Sequence, residues 1–160
     1  MKSKKGVLWG RVPSWNHENN TNNEYEIIWW NCRSIKDMTK RMMFVDMLET
    51  KGAEIGCLME TFLTEEDPMY VKGWRIYRSN NQVRRKGVAI FIKTTIDAEI
   101  AKVAEDQEGR YVKVRIKNKI TREVRTIACV YLEPTGDLRW IPENIIGSDI
   151  VVGDFNSAEK

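Results

Sequence analysis

Apolar and polar positions follow two different periods along this chain, and the change of period divides it. Residues 10–24 are rich in Asn and carry no apolar period, so 1–24 is expected to be a polar, flexible leader, with the fold beginning near Tyr25. Glu26-Ile27-Ile28-Trp29-Trp30 is β-branched and aromatic, which predicts a strand. Asn31-Cys32-Arg33-Ser34 follows as a turn, with Ser34 placed to cap a helix that starts at about Ile35. Ile35, Met38, Met42, Val45 and Leu48 fall at steps of three and four, the spacing of one helical face, and Gly52 supplies the stop. Met42, Met43 and Met47 are expected to pack in the core rather than to line a cofactor. Residues 53–59 read as a short buried strand, which completes a strand-helix-strand crossover.

Beyond Glu60 the period shortens to two. Strands are predicted over 74–79, 87–93, 96–103, 111–117, 124–132 and 149–152, separated by polar turns. Within 111–117, Val112, Val114 and Ile116 alternate with Lys113, Arg115 and Lys117, so one face is expected to be buried and the other charged. Residues 138–146 carry Pro142 and make a poor helix. No repeat and no shift of composition breaks the segment, so 25–160 is read as part of one domain.

Composition narrows the class. The 160 residues are 42% hydrophobic with only 10 Gly and 4 Pro, which excludes a disordered or collagen-like chain. A net charge of +3 permits a nucleic-acid partner without demanding one. The longest apolar runs, 27–30 and 88–92, fall far short of the roughly 18 residues of a membrane span, and no membrane partner is expected. No apolar stretch follows the basic start Met1-Lys2-Ser3-Lys4-Lys5, so secretion is not expected. Cys32, Cys57 and Cys129 are odd in number and lie in or beside apolar runs, like reduced core thiols of an intracellular protein, nuclear or cytoplasmic.

Candidate chemistry gathers where predicted strands end. Asn31 follows Ile-Ile-Trp-Trp, Glu60 follows Cys-Leu-Met, Tyr131 lies in Cys-Val-Tyr-Leu, and Asp154 and Asn156 follow Val-Val-Gly. Gly153 is expected to give the tight turn before Asp154. Hydrolysing a phosphodiester requires an oxygen-ligated divalent metal, an oriented water and donors to the phosphate oxygens, and these residue types supply much of that set. Arg84, Arg85 and Lys86, together with an outward stripe of Lys113, Arg115 and Lys117, suit a nucleic-acid backbone.

Five pieces in this order resemble a known family: Trp30-Asn31-Cys32-Arg33-Ser34-Ile35, Cys57-Leu58-Met59-Glu60-Thr61-Phe62-Leu63, Lys86-Gly87-Val88-Ala89-Ile90-Phe91-Ile92-Lys93, Val130-Tyr131 and Gly153-Asp154-Phe155-Asn156-Ser157. The family is the endonuclease/exonuclease/phosphatase superfamily, and the wording of the first two pieces resembles the endonuclease domain of non-LTR retrotransposons. The resemblance, from about residue 25 onward, implies an α/β fold. The expected architecture is an incomplete four-layer α/β sandwich of two mainly antiparallel sheets flanked by helices. It further implies Mg²⁺- or Mn²⁺-dependent phosphodiester hydrolysis, with DNA as partner and a reverse transcriptase domain downstream in a longer polyprotein. Glu60 is similar to the family's metal carboxylate, and Asn31 to the amide that organises metal and phosphate. Tyr131 resembles the tyrosine facing the scissile phosphate, Asp154 the proton-handling aspartate, and Asn156 the asparagine that orients it.

The chain also departs from the family pattern. The family fold continues to a final Asp-His pair, whereas the only histidine here, His17, precedes the first predicted strand. Weak or absent turnover is therefore expected of this chain alone. The alternatives are a non-catalytic nucleic-acid-binding remnant, or an abasic-site repair enzyme or other phosphoesterase of the superfamily.

Overall fold

Every second residue of the central strands is apolar, and those residues meet between two sheets. The computed structural model describes residues 2–4, 7–13, 24–132 and 143–155, with side chains over 26–132 and 145–153. In chain order the elements are β1 (Lys2–Lys4), β2 (Val7–Pro13), β3 (Glu24–Asn31), α1 (Met38–Thr50), β4 (Ile55–Met59), β5 (Trp74–Ser79) and β6 (Val88–Lys93). They continue with β7 (Ala98–Glu105), β8 (Tyr111–Asn118), β9 (Val124–Leu132), α2 (Glu143–Ile146) and β10 (Ile150–Phe155).

One sheet has the order β1-β2-β3-β4-β6-β5, the other β10-β9-β8-β7. Each contains one parallel pair, β3 with β4 and β10 with β9, and the remaining pairings are antiparallel. This is the α/β architecture that the sequence leads one to expect. Ile27, Cys57, Ile90 and Ile92 of the first sheet pack against Val112, Val114, Ile127 and Cys129 of the second. The opposite face of the first sheet, with Ile28, Leu58 and Phe91, is covered by Phe44, Val45 and Leu48 of α1. On the outer face of the second sheet, Ile145 of the single-turn α2 packs with Tyr111, Ala128 and Val130.

Three local expectations are corrected. Residues 2–4 and 7–13, assigned to a flexible leader, form strands, and β2 pairs with β3 from Val7↔Trp30 to Pro13↔Glu24. The Asn-rich stretch within 10–24 led the whole of 1–24 to be read as one leader, although Val7, Leu8, Trp9 and Val12 are apolar. The helix is capped by Asp37, whose carboxylate accepts from the Thr39 amide at 2.9 Å, and not by Ser34. Its buried face is Arg41, Phe44, Val45 and Leu48, while Met38, Met42 and Met43 are exposed. Ile35 is buried, but it lies in the loop before the helix, so counting turns from it rotated the predicted face. Residues 138–142 of the poor helix lie outside the described residues, and 143–146 form one turn.

Candidate active site

The two parallel pairs point their carboxyl ends at the same edge of the sandwich, where open α/β sheets characteristically hold ligands. Asn31 ends β3 opposite Met59, the last residue of β4, and Glu60 follows. Asn31 Nδ2 donates to Glu60 Oε2 at 2.8 Å. Glu60 and Phe62 hold φ of 60° and 59°, left-handed conformations that cost a side-chain-bearing residue about 1–3 kcal/mol and persist only where surroundings enforce them.

The surroundings here are a relay of main-chain hydrogen bonds. Cys32 N donates to Met59 O, Ser34 N to Glu60 O and Ile35 N to Thr61 O. Thr61 N then donates to Gly87 O and Phe62 N to Lys86 O, which carries the relay to the start of β6. Gly87 N donates to Gly109 O at 2.9 Å, crossing from one sheet to the other, and Tyr131 N donates to Arg110 O at 2.8 Å. A side chain at Gly109, where φ is +76°, would meet the Gly87 amide at 2.6 Å, so the crossing requires glycine. Lys40 Nζ ties the other end, donating to Cys32 O at 2.8 Å and Arg33 O at 3.1 Å.

Across the core, Tyr131 is 7% exposed and shares the inter-sheet cluster with Met59 and Val88. Asp154 of β10 holds the register position beside Tyr131, and β10 packs near β3 and β4. The Asp154 side chain and the whole of Asn156 lie outside the described residues. Gly153 stays within the strand, and the expected tight turn is absent there. A Cβ at Gly153 would strike Val130 O, so the reason for glycine is the closeness of β9.

The basic candidates divide. Arg84, Arg85 and Lys86 lie in the loop between β5 and β6, on the same edge as Glu60. Arg84 Nη1 lies 2.5 Å from Asp67 Oδ2. The Thr64 amide and then Arg84 hold the Asp67 carboxyl down at about 2, below its ordinary 3.8. The expected outward stripe on β8 is broken: Arg115 is exposed and Lys117 half-buried, but Lys113 is only 9% exposed. Lys117 lies six residues along β8 from Tyr111, so the stripe leads about 20 Å away from this edge.

Sequence reading missed Asp106 and Arg110. Arg110 Nε donates to Asp106 Oδ2 at 2.7 Å, its amide donates to Asp106 Oδ1 at 2.9 Å, and Ser79 Oγ donates to Asp106 O at 2.6 Å. The signal was an Asp four residues before an Arg, with Gly109 between them, just ahead of a strand.

Hard oxygen donors suit Mg²⁺, which takes one or two carboxylates and completes its shell with water and substrate phosphate. Glu60, steadied by Asn31, fits that requirement. Among the described residues no group of three His, Cys, Asp or Glu side chains could hold a metal. Among them, too, no helix is long and apolar enough to cross a membrane.

No family model matches the chain. Solved structures do share its fold. It is similar to the endonuclease domain of TRAS1, a telomere-specific non-LTR retrotransposon, at 19% identity and a TM-score of 0.63, over 84% of this chain and 60% of that one. It is similar to the AP endonuclease LMAP from Leishmania major at 16% identity and 0.59, over 77% and 45%. An endonuclease/exonuclease/phosphatase family protein from Bacteroides thetaiotaomicron matches at 14% identity and 0.53, over 81% and 62%. The chain therefore has the endonuclease/exonuclease/phosphatase fold, and it spans between 45% and 62% of the length of these structures.

Proposed function

We propose that residues 25–160 are the N-terminal part of an endonuclease/exonuclease/phosphatase domain that hydrolyses phosphodiesters in DNA with Mg²⁺ or Mn²⁺. Within that family the proposed role is the target-nicking endonuclease of a non-LTR retrotransposon, acting inside the cell beside a reverse transcriptase domain. The observation that carries the reading is the 2.8 Å hydrogen bond from Asn31 to Glu60 at the joint carboxyl ends of two parallel strand pairs. The fold shared with a retrotransposon endonuclease and an AP endonuclease supports it.

Each residue has a task. The Glu60 carboxylate holds the divalent ion, and Asn31 Nδ2 fixes its orientation so that no reorganisation is needed during reaction. When bound, the ion supplies Lewis-acid polarisation of a phosphoryl oxygen. The Tyr131 hydroxyl faces the phosphate, and its buried ring gives the position rigidity. Asp154, in register beside it, takes the proton of the attacking water, and Asn156 orients that carboxylate. Arg84, Arg85 and Lys86 meet the DNA backbone on the same edge.

A plasmid-nicking assay with Mg²⁺ or Mn²⁺ tests the reading. Nicking above background is expected from the 160-residue chain, and both EDTA and Glu60→Gln should remove it. Nicking indifferent to Glu60→Gln overturns the assignment. A folded chain that binds DNA in a salt-sensitive way and never cuts it overturns catalysis in favour of a binding remnant.

A further inference from the structure

Two cysteines that take no part in the candidate site face each other between the sheets. Cys57 stands on β4 and Cys129 on β9, and both are fully buried in the inter-sheet core as free thiols. The sheets are close here: Cα atoms of β4 and β9 come within 8 Å, where stacked sheets usually stand ~10 Å apart. Cys129 Sγ reaches across to donate to the main-chain oxygen of Leu58, the neighbour of Cys57, at 3.6 Å. The two thiols also share a hydrogen bond. Cys32 is kept out of this contact. It belongs to the cluster on the opposite face of the first sheet, where its Sγ donates to Met59 O at 3.4 Å.

A thiol pair in hydrogen-bond contact is one oxidation away from a cross-link. The bond brings the sulfurs to ~2.05 Å and needs Cα atoms no more than ~6.8 Å apart, a range that β4 and β9 already approach. We propose that Cys57 and Cys129 are a modification site that consumes a small-molecule disulfide, such as oxidised glutathione, and closes to an inter-sheet disulfide. While the sheets are transiently apart, one cysteine gives its proton to solvent and its thiolate attacks a sulfur of the oxidant. An S–S bond to the chain forms, the S–S bond of the oxidant breaks, and one glutathione leaves as thiolate. The second cysteine then loses its proton, attacks the chain sulfur of that mixed disulfide and expels the second glutathione. The cysteine pair gives up two electrons and two protons, and the oxidant becomes two thiols.

Packing favours the second step. Both positions are fully buried, so a glutathione adduct has no room in the closed core, whereas the direct bond occupies space the two sulfurs already fill. The link joins β4, which runs into Glu60, to β9, which carries Tyr131. It closes a loop of roughly 70 residues, long enough to restrain the unfolded chain strongly. The inference goes beyond the DNA-cutting reading and does not rest on it.

Peptide mapping of the 160-residue chain tests it without any cleavage assay. The reduced chain is carried through its urea transition and back in a mixture of oxidised and reduced glutathione, quenched with acid, and its remaining thiols are alkylated in denaturant. Mass spectrometry should find the Cys57 and Cys129 peptides joined, two hydrogens lighter than their sum, with Cys32 alkylated. Cys32→Ala should keep the link, and Cys57→Ala or Cys129→Ala should abolish it. The wild-type map decides the pairing even where an alanine variant fails to fold. Because bond and fold favour each other equally, the link should form at least about ten-fold more favourably against glutathione in native buffer than in concentrated urea, and it should raise the urea midpoint. Pairing that involves Cys32, pairing between two chains, glutathione retained on Cys57 or Cys129 after refolding, thiols that all stay free, or a link that lowers the midpoint would each overturn the proposal.

Discussion

Asp67 shows how one side chain can set the shape of the loop next to Glu60. Its carboxylate accepts from Thr64 N at 2.8 Å and lies 2.5 Å from Arg84, joining the loop after β4 to the loop after β5. Because folding lowers its pKa from 3.8 to about 2, its stabilising effect is full above the unfolded value and is lost as pH falls through the folded one. The urea midpoint of the wild type should therefore exceed that of Asp67→Asn by a constant amount above about pH 4 and converge with it by about pH 2. A difference that survives unchanged at the acid end would mean that Asp67 acts through something other than its charge. Nothing in the sequence announced this pairing, since residues 67 and 84 are brought together only by strand order. Asn31 and Glu60, by contrast, were legible as polar residues closing apolar runs, although their contact depends on the parallel register of β3 and β4.

Elements were legible where a β-branched and aromatic run is closed by polar turns. β5 and β9 match the predicted limits and β8 gains one residue, even though β9 is buried on both faces from Ile127 to Leu132. α1 was recognised but rotated, since methionine is counted as apolar wherever it stands. The contacts separate its two faces. Phe44 is fully buried, stacked at 5.9 Å on Trp30 and edge-on at 5.4 Å to Phe91, whereas Met42 is 49% exposed. Phe44→Ala should cost about 3–5 kcal/mol, the usual range for emptying such a site. Met42→Ala should stay within about 0.5 kcal/mol, as exposed substitutions do. Urea denaturation of the two variants measures both, and comparable losses would restore the methionine face to the core. β1 and β2 escaped notice because the Asn-rich stretch after β2 led all of 1–24 to be read as a leader, although β2 pairs with β3 and β1 with β2.

At the scale of the molecule, the question is whether the two sheets separate or melt together. The strand-end relay passes from one sheet to the other through Gly87 and Gly109, and the inter-sheet core is continuous from Ile27 to Val152. Both favour a single cooperative unit. The three thiols report on it from different places. Cys57 of β4 and Cys129 of β9 are fully buried and meet across the core, where burial and then the Cys57 thiol push the Cys129 thiol up. Cys32 stands in the strand-end loop, and burial pushes its thiol up to about 12. A thiol in that state reacts slowly at pH 8, because the thiolate is the nucleophile. All three should resist alkylation in the native protein and become reactive together across one urea transition, coincident with loss of tryptophan fluorescence. Release of Cys57 and Cys129 ahead of Cys32 would show that the sheets part before the strand-end loop dissolves. Release of Cys32 alone would make the Glu60 loop an independently opening unit.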